Sequence, residues 1–190
     1  MKESIKKHIF EHKSVIDSMD GIEGDIEIIA KQMIKCLREN GTIFWCGNGG
    51  SASDSQHLAG ELIGRFIDDR RPLKSIALNA DSAVMTCITN DYGYEHIYSR
   101  QIEGLGSKGD ILVGISTSGN SHNIVNALDM ANKKGLFTVG LLGKGGGKAA
   151  KLAQQSAIIR SNSTGRIQEM HILIGHILCD LIESGLDLKK

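Results

Sequence analysis

The chain has 190 residues, enough for one domain with a single well-buried core. Its 22 Lys and Arg balance 22 Asp and Glu, and a formal net charge of zero argues against the basic footprint that nucleic-acid binding needs. No apolar run approaches the roughly 20 residues of a membrane span, and the charged residues 1–13 lack the apolar stretch of a secretory signal, so a cytoplasmic protein is expected.

Residues 3–40 carry helical periodicity. Ile22, Ile26, Ile29, Met33 and Leu37 recur at spacings of three and four, Gly21 and Gly24 are the breakers, and Asn40-Gly41 closes the run. An apolar run of strand length, 42–46, opens into Gly47-Asn48-Gly49-Gly50-Ser51, with a helix expected from about Ala52. Pro72, the sole proline, leads into a second strand at 75–78. A third, 110–115, opens into Ser116-Thr117-Ser118-Gly119-Asn120-Ser121 and a helix through Met130. A fourth, 136–142, ends in the glycine-rich segment 143–147, read as a structural turn before the next helix. A short fifth covers 157–160. From about Arg166 to Leu186 the chain is helical again, with Ile167, Met170, Leu173, Ile174, Ile177, Leu178 and Leu181 on one broad apolar arc.

Near-continuous apolar strands alternating with helices predict an α/β domain whose parallel sheet is covered on both faces. Ligands bind such sheets beyond the carboxyl ends of the strands. No linker or low-complexity tract divides the chain, so residues 1–190 read as one domain. Cys36, Cys46, Cys87 and Cys179 form no CxxC pair and read as small buried hydrophobes in a reducing compartment.

Two loops carry ligand-binding chemistry. In Gly47 to Ser51, glycines let the backbone approach a ligand and the following helix start offers free N–H groups. The second loop holds the same topological place with hydroxyls on Ser116, Thr117, Ser118 and Ser121, which with helix-start amides make a neutral phosphate cradle. Taken singly, each loop reads equally as a turn and helix cap. GxxxxGK[ST] is absent, and no GxGxxG precedes a ribose-binding acid, so a nucleotide is not indicated.

His57 and Glu61 stand four apart on one helix face, among Ser53, Asp54, Gln56 and Arg65. The last helix offers Gln168, Glu169, His171 and His176. Two imidazoles, a carboxylate and an amide oxygen suit a divalent ion such as zinc. Spacing leaves the partner of Gln168 open: His171 is three residues on, and His176 is eight on, roughly 12 Å along the axis.

The segments Gly47 to Ala52, Gln56-His57, Glu61, Asn90-Asp91-Tyr92-Gly93, Ile115 to Ser121 and Arg166 to His171, in this order and spacing, resemble the SIS (sugar isomerase) family. More narrowly, they look like its phosphoheptose isomerase branch, and the likeness runs through nearly the whole chain. The resemblance implies a three-layer αβα sandwich with a five-stranded parallel sheet (the SIS fold) and extra N-terminal helices. It also implies a homotetramer, with residues 1–40 used in oligomer packing and active sites at subunit interfaces. Ser116, Thr117, Ser118 and Ser121 match the branch's phosphate loop. Asn48, Gly49, Gly50, Ser51, Asn90 and Asp91 match residues lining the sugar, and Glu61 and Gln168 also match substrate contacts. Glu61 matches the catalytic base and His176 the acid. His57, Glu61, Gln168 and His176 match a site for one zinc per subunit, which favours His176 over His171. Gly165 stands where Ala or Asp is usual, so no side chain acts at that position.

The implied reaction converts sedoheptulose 7-phosphate to D-glycero-D-manno-heptose 7-phosphate through a cis-enediol. It is the first step of nucleotide-activated heptose biosynthesis for lipopolysaccharide or capsule. The expected partner is a phosphosugar, not a nucleic acid or a membrane. Two rivals stand beside it. A non-catalytic SIS relative that binds a replication initiator lacks the carboxylate and the final imidazole, and this sequence keeps both Glu61 and His176. An isomerase of another ketose phosphate differs in pocket length, which the residues do not display.

Overall fold

The N-terminal periodicity becomes two helices in the computed structural model, which describes residues 1–186: α1 (Lys2–Asp17) and α2 (Glu23–Arg38). They part at Gly21, whose φ of +92° suits a residue without a side chain. Beyond them the chain runs β1 (Ile43–Gly47), α3 (Gly50–Ile63), β2 (Ser75–Ala77), α4 (Ser82–Tyr92), a 3₁₀ turn (Tyr94–His96) and α5 (Ser99–Leu105). It continues through β3 (Ile111–Ser116), α6 (His122–Lys134), β4 (Phe137–Gly143), a 3₁₀ turn (Ala149–Lys151), β5 (Gln155–Ile159) and α7 (Thr164–Gly185).

The five strands form one parallel sheet in the order β2-β1-β3-β4-β5. Strand alternation sorts side chains to two cores. Ile43, Trp45, Ile111, Val113 and Ile115 meet α2, α3 and α7, whereas Phe44, Cys46 and Leu112 meet α5 and α6. Both faces are covered, giving the expected three-layer αβα sandwich. Trp45 satisfies its buried indole N–H on the hydroxyl of Ser75 at 2.9 Å.

The order places β1 and β3 side by side, with the chain turning one way to β2 and the other way to β4. That is the topological switch point, where the loops leaving two adjacent strands diverge and open a crevice. The loops at Gly47–Ser51 and Ser116–Ser121 are those two loops.

The structure adds two helices where no element was expected between Leu78 and Asp110. Asp81 caps α4, its carboxylate accepting from Ala83 and Val84 N–H at 2.9 and 3.0 Å. The next helix after the 143–147 segment is only the single 3₁₀ turn at Ala149–Lys151. Cys36, Cys46 and Cys179 are buried as expected, and Cys87 on α4 is exposed.

Helix α2 packs into the chain's own core through Ile26, Ile29 and Met33. Helix α1 buries no residue. It is strapped to α7 by His12 Nδ1 on Glu169 Oε2 at 2.6 Å, and by Arg166, which donates to the His8 carbonyl at 2.6 Å and to Glu169. Among the described residues, no helix is long and apolar enough to cross a membrane.

Candidate functional site

The i, i+4 spacing on α3 brings His57 Nε2 and Glu61 Oε1 to 3.0 Å. Helix α7 then supplies His176, whose Nε2 lies 3.3 Å from that of His57. His57 Nε2 thus faces both the Glu61 carboxylate, which can only accept, and the second ring, and the tautomers set which ring donates to the other. The three ligating atoms lie within 4.8 Å of one another, an arrangement that a divalent ion would fit. The His57 side chain is 47% exposed and that of Glu61 24%, so the cluster opens on one side to solvent. Asp54, one turn earlier on α3, is held above its usual range by burial, against the pull of His57.

Gln168 stands elsewhere on α7. Its amide presses on the first loop so closely that a Cβ built on Gly50 would lie 2.4 Å from Gln168 Nε2. A side chain at Gly50 would have to displace the end of Gln168 from the loop. Helices α3 and α7 therefore touch at two levels, Gly50 with Gln168 and His57 with His176. The levels are seven to eight residues apart, roughly 10–12 Å along the axes. Three of the four expected metal residues converge, and Gln168 is set at the loop.

His171 and His176 have separate fates. His171 is fully buried, and burial lowers its pKa to about 4, with the Leu142 carbonyl opposing. Neither ring nitrogen reaches a hydrogen-bond partner in good geometry. Geometry, not spacing, places His176 in the cluster.

The hydroxyl loop is gathered on Ser116, at the buried end of β3. The Ser118 and Ser121 hydroxyls lie 3.5 and 3.4 Å from its Oγ, which also accepts from Gly119 N–H at 3.1 Å. Ser118 accepts from Asn120 N–H at 3.1 Å. Thr117 follows Ser116 in the loop and is half-buried. Gly119 has φ +63°, and a Cβ there would meet the Gly146 carbonyl at 2.0 Å. The 143–147 segment thus backs the loop as a wall, as its reading as a structural turn anticipated.

In the first loop, Ser51 is buried beneath the turn and donates its N–H to the Asn48 carbonyl at 3.1 Å. Gly49 and Gly50 are exposed at the start of α3. Tyr98, buried in the second core, donates its hydroxyl to the Gly47 carbonyl at 2.5 Å and pins the loop's root. Asn90 and Asp91 are exposed near the end of α4 and bond to each other at 2.8 Å. Among the described residues no hydrogen bond joins them to the loops or to the imidazole cluster.

Sequence reasoning missed a buried brace. Glu183 on α7 accepts from the N–H groups of Phe66, Ile67 and Asp68 at 2.9, 3.0 and 3.1 Å and from Arg70 Nε at 2.7 Å. Burial works against its charge, but these four donors outweigh it and hold the carboxyl below its usual range. Arg70 in turn donates to the carbonyls of Glu61, Leu62 and Gly64 at the end of α3. Phe66, held by Glu183, stacks on His176 with ring centroids 5.4 Å apart. Nothing in the local pattern of Arg70 or Glu183 announces this, because the partners lie 113 residues apart.

Comparison with known proteins gives the site a context. The SIS domain family model matches residues 11–143. The phosphoheptose isomerase of Sulfurimonas denitrificans is 50% identical over 183 residues, covering 96% of this chain and 93% of that protein. The one from Helicobacter pylori is 47% identical over 180 residues and 94% of each chain. The solved phosphoheptose isomerase of Neisseria gonorrhoeae superposes with a TM-score of 0.92 at 38% identity, covering 96% of this chain and 98% of the other. That of Francisella tularensis gives 0.93 at 33% identity, covering 96% and 97%.

Proposed function

The chain belongs to the SIS domain family, in its phosphoheptose isomerase branch, and from that membership we propose that it interconverts sedoheptulose 7-phosphate and D-glycero-D-manno-heptose 7-phosphate through a cis-enediol. The observation that carries the residue assignment is the convergence of His57, Glu61 and His176 from two helices separated by more than a hundred residues. Such a cluster, open to solvent on one side, offers a base and an acid to one substrate.

The reaction moves a proton between C1 and C2 of the sugar and shifts the carbonyl with it. Glu61 takes the proton from carbon and returns it to the neighbouring carbon, and His176 exchanges protons with the oxygens. His57 holds the Glu61 carboxylate by its 3.0 Å contact. Ser116, Thr117, Ser118 and Ser121 grip the phosphate through hydroxyls and the amides that open α6, aided by the helix dipole. Asn48, Gly49, Gly50, Ser51, Asn90, Asp91 and Gln168 line the sugar. Zinc would be held by His57, Glu61 and His176, with Gln168 the fourth donor expected from the resemblance. It would supply Lewis-acid polarisation of the substrate carbonyl.

The family resemblance supports a site completed by a second subunit, with the loops of one copy facing the cluster of another. Asn90 and Asp91, exposed in the single chain, fit the same arrangement. An assay with sedoheptulose 7-phosphate, with and without chelator, tests the activity. Formation of the aldoheptose phosphate supports it, and turnover of unphosphorylated sedoheptulose at an equal rate would remove the phosphate grip.

A further inference from the structure

The side chain of Asn48 points into protein as much as toward a ligand. Its Oδ1 accepts from Asn123 Nδ2 at 2.8 Å and from the Tyr94 hydroxyl at 3.0 Å, and its Nδ2 donates to Asn123 Oδ1 at 2.9 Å. Both acceptor sites of the Asn48 carbonyl are filled, and one of its amide hydrogens is used. One hydrogen alone remains for a substrate.

Asn123 sits in the first turn of α6 and is 2% exposed. Its Oδ1 also accepts the N–H of Ile124 at 3.0 Å, one of the helix-start amides that lack an intrahelical partner. That backbone donor determines which end of the Asn123 amide is oxygen. With the oxygen set, Nδ2 must face Asn48, the Asn48 amide can pair in one orientation only, and Tyr94 must donate rather than accept. A backbone N–H at the start of α6 thereby orients, through two amides, a hydroxyl on the 3₁₀ turn after α4. The three side chains come from segments 75 and 46 residues apart.

The two amides bridge the two loops that leave β1 and β3 at the switch point. Together with Tyr94, which is 50% exposed, they line one open cavity with Ser121 and His122. We propose that Asn123 is a positioning residue for the phosphosugar site. It locks the Asn48 loop to the phosphate loop so that both present their remaining donors to one ligand, and Tyr94 closes the chain of bonds. The inference rests on the reading of these loops as the phosphosugar cradle.

Asn123→Asp separates positioning from folding. It keeps the volume and the acceptor for Ile124 but sets an oxygen against Asn48 Oδ1, so the amide pair cannot form. KM for sedoheptulose 7-phosphate should rise roughly tenfold or more, the scale of one lost bond to a charged ligand. The change in kcat should stay below about threefold, since Glu61 and His176 are untouched. Tyr94→Phe should raise KM less, and the double variant should show less than the sum of the two effects because both act through Asn48. Amide exchange in residues 47–52 should quicken in Asn123→Asp while that of β3 does not, a readout that needs no substrate. KM within twofold of the parent, or exchange rising equally in β3, would overturn the proposal. A parent that does not isomerise the sugar would instead overturn the proposed function, and the exchange measurement would still decide the role of Asn123.

Discussion

At the scale of single residues, the assignments predict separate effects. Glu61→Gln keeps shape and removes the base, so kcat should fall on the order of 10²-fold or more while circular dichroism is unchanged. Near-normal turnover in that variant would take Glu61 out of the mechanism. Metal content checks the same cluster by another route. Protein purified without added metal should carry about one zinc per chain, and His57→Ala and His176→Ala should lose it. Equal metal in parent and variants would sink the cluster as a metal site. His171 makes a prediction about pH. Burial lowers its pKa from the ordinary imidazole value of 6.5 to about 4 in the folded chain. Between those values the unfolded chain binds a proton that the folded one refuses, so this group lowers stability as pH falls from 6.5 to 4. The loss should reach roughly 3 kcal/mol at the acid end. Denaturant midpoints of His171→Leu should fall less steeply over that window than those of the parent, and parallel curves would contradict the assignment.

Among the elements, α3 and α7 hold the cluster, and the Arg70–Glu183 pair holds those helices. Both side chains are buried, so removing one charge leaves the other without compensation. Glu183→Gln should destabilise the fold by about 3 kcal/mol, at the lower end for breaking a buried pair. Loosening the segment 66–68 should also free Phe66 from His176 and lower kcat. A midpoint and a kcat both matching the parent would show that the brace bears on neither stability nor the site. The α3 pair was legible in sequence because four residues make one helical turn and a little more. The brace was not, because a lone Glu on an amphipathic helix looks like any solvated residue until the segment it caps is folded over it.

For the whole molecule, α1 is the informative element. It buries nothing within the chain yet carries Ile5, Ile9, Ile16 and Phe10, the last 70% exposed. A helix with such a face is normally covered, and closed symmetric oligomers are the common solution. Light scattering at micromolar concentration should return four copies of the 20.5 kDa chain, about 82 kDa. A 20.5 kDa species would rule out both the tetramer and a shared site. If sites are shared, mixing Glu61→Gln with Ser118→Ala protein should give more activity than the two variants supply separately, through mixed assemblies. Mixtures no more active than their components would confine each site to one chain.

The sequence by itself determined the alternation of strands and helices, the glycine-rich and serine-rich loops after β1 and β3, and the His57–Glu61 pair. These depend on local periodicity, on turn chemistry and on residues a few positions apart. It left α4 and α5 unread although Asp81 signals a cap, because α5 is only seven residues long and the apolar residues of α4 make no sustained buried stripe, Ile88 being the one that is buried in the second core. Spacing left His171 and His176 open, and the family resemblance favoured His176, since spacing along a helix says nothing about which face meets another helix. Tertiary structure alone set β1 beside β3, which turns two separate loops into one crevice. It alone brought Asn123 to Asn48 and Glu183 to Arg70. Hydrogen bonds between segments so far apart carry no local signature, because their geometry exists only after the sheet has chosen its strand order.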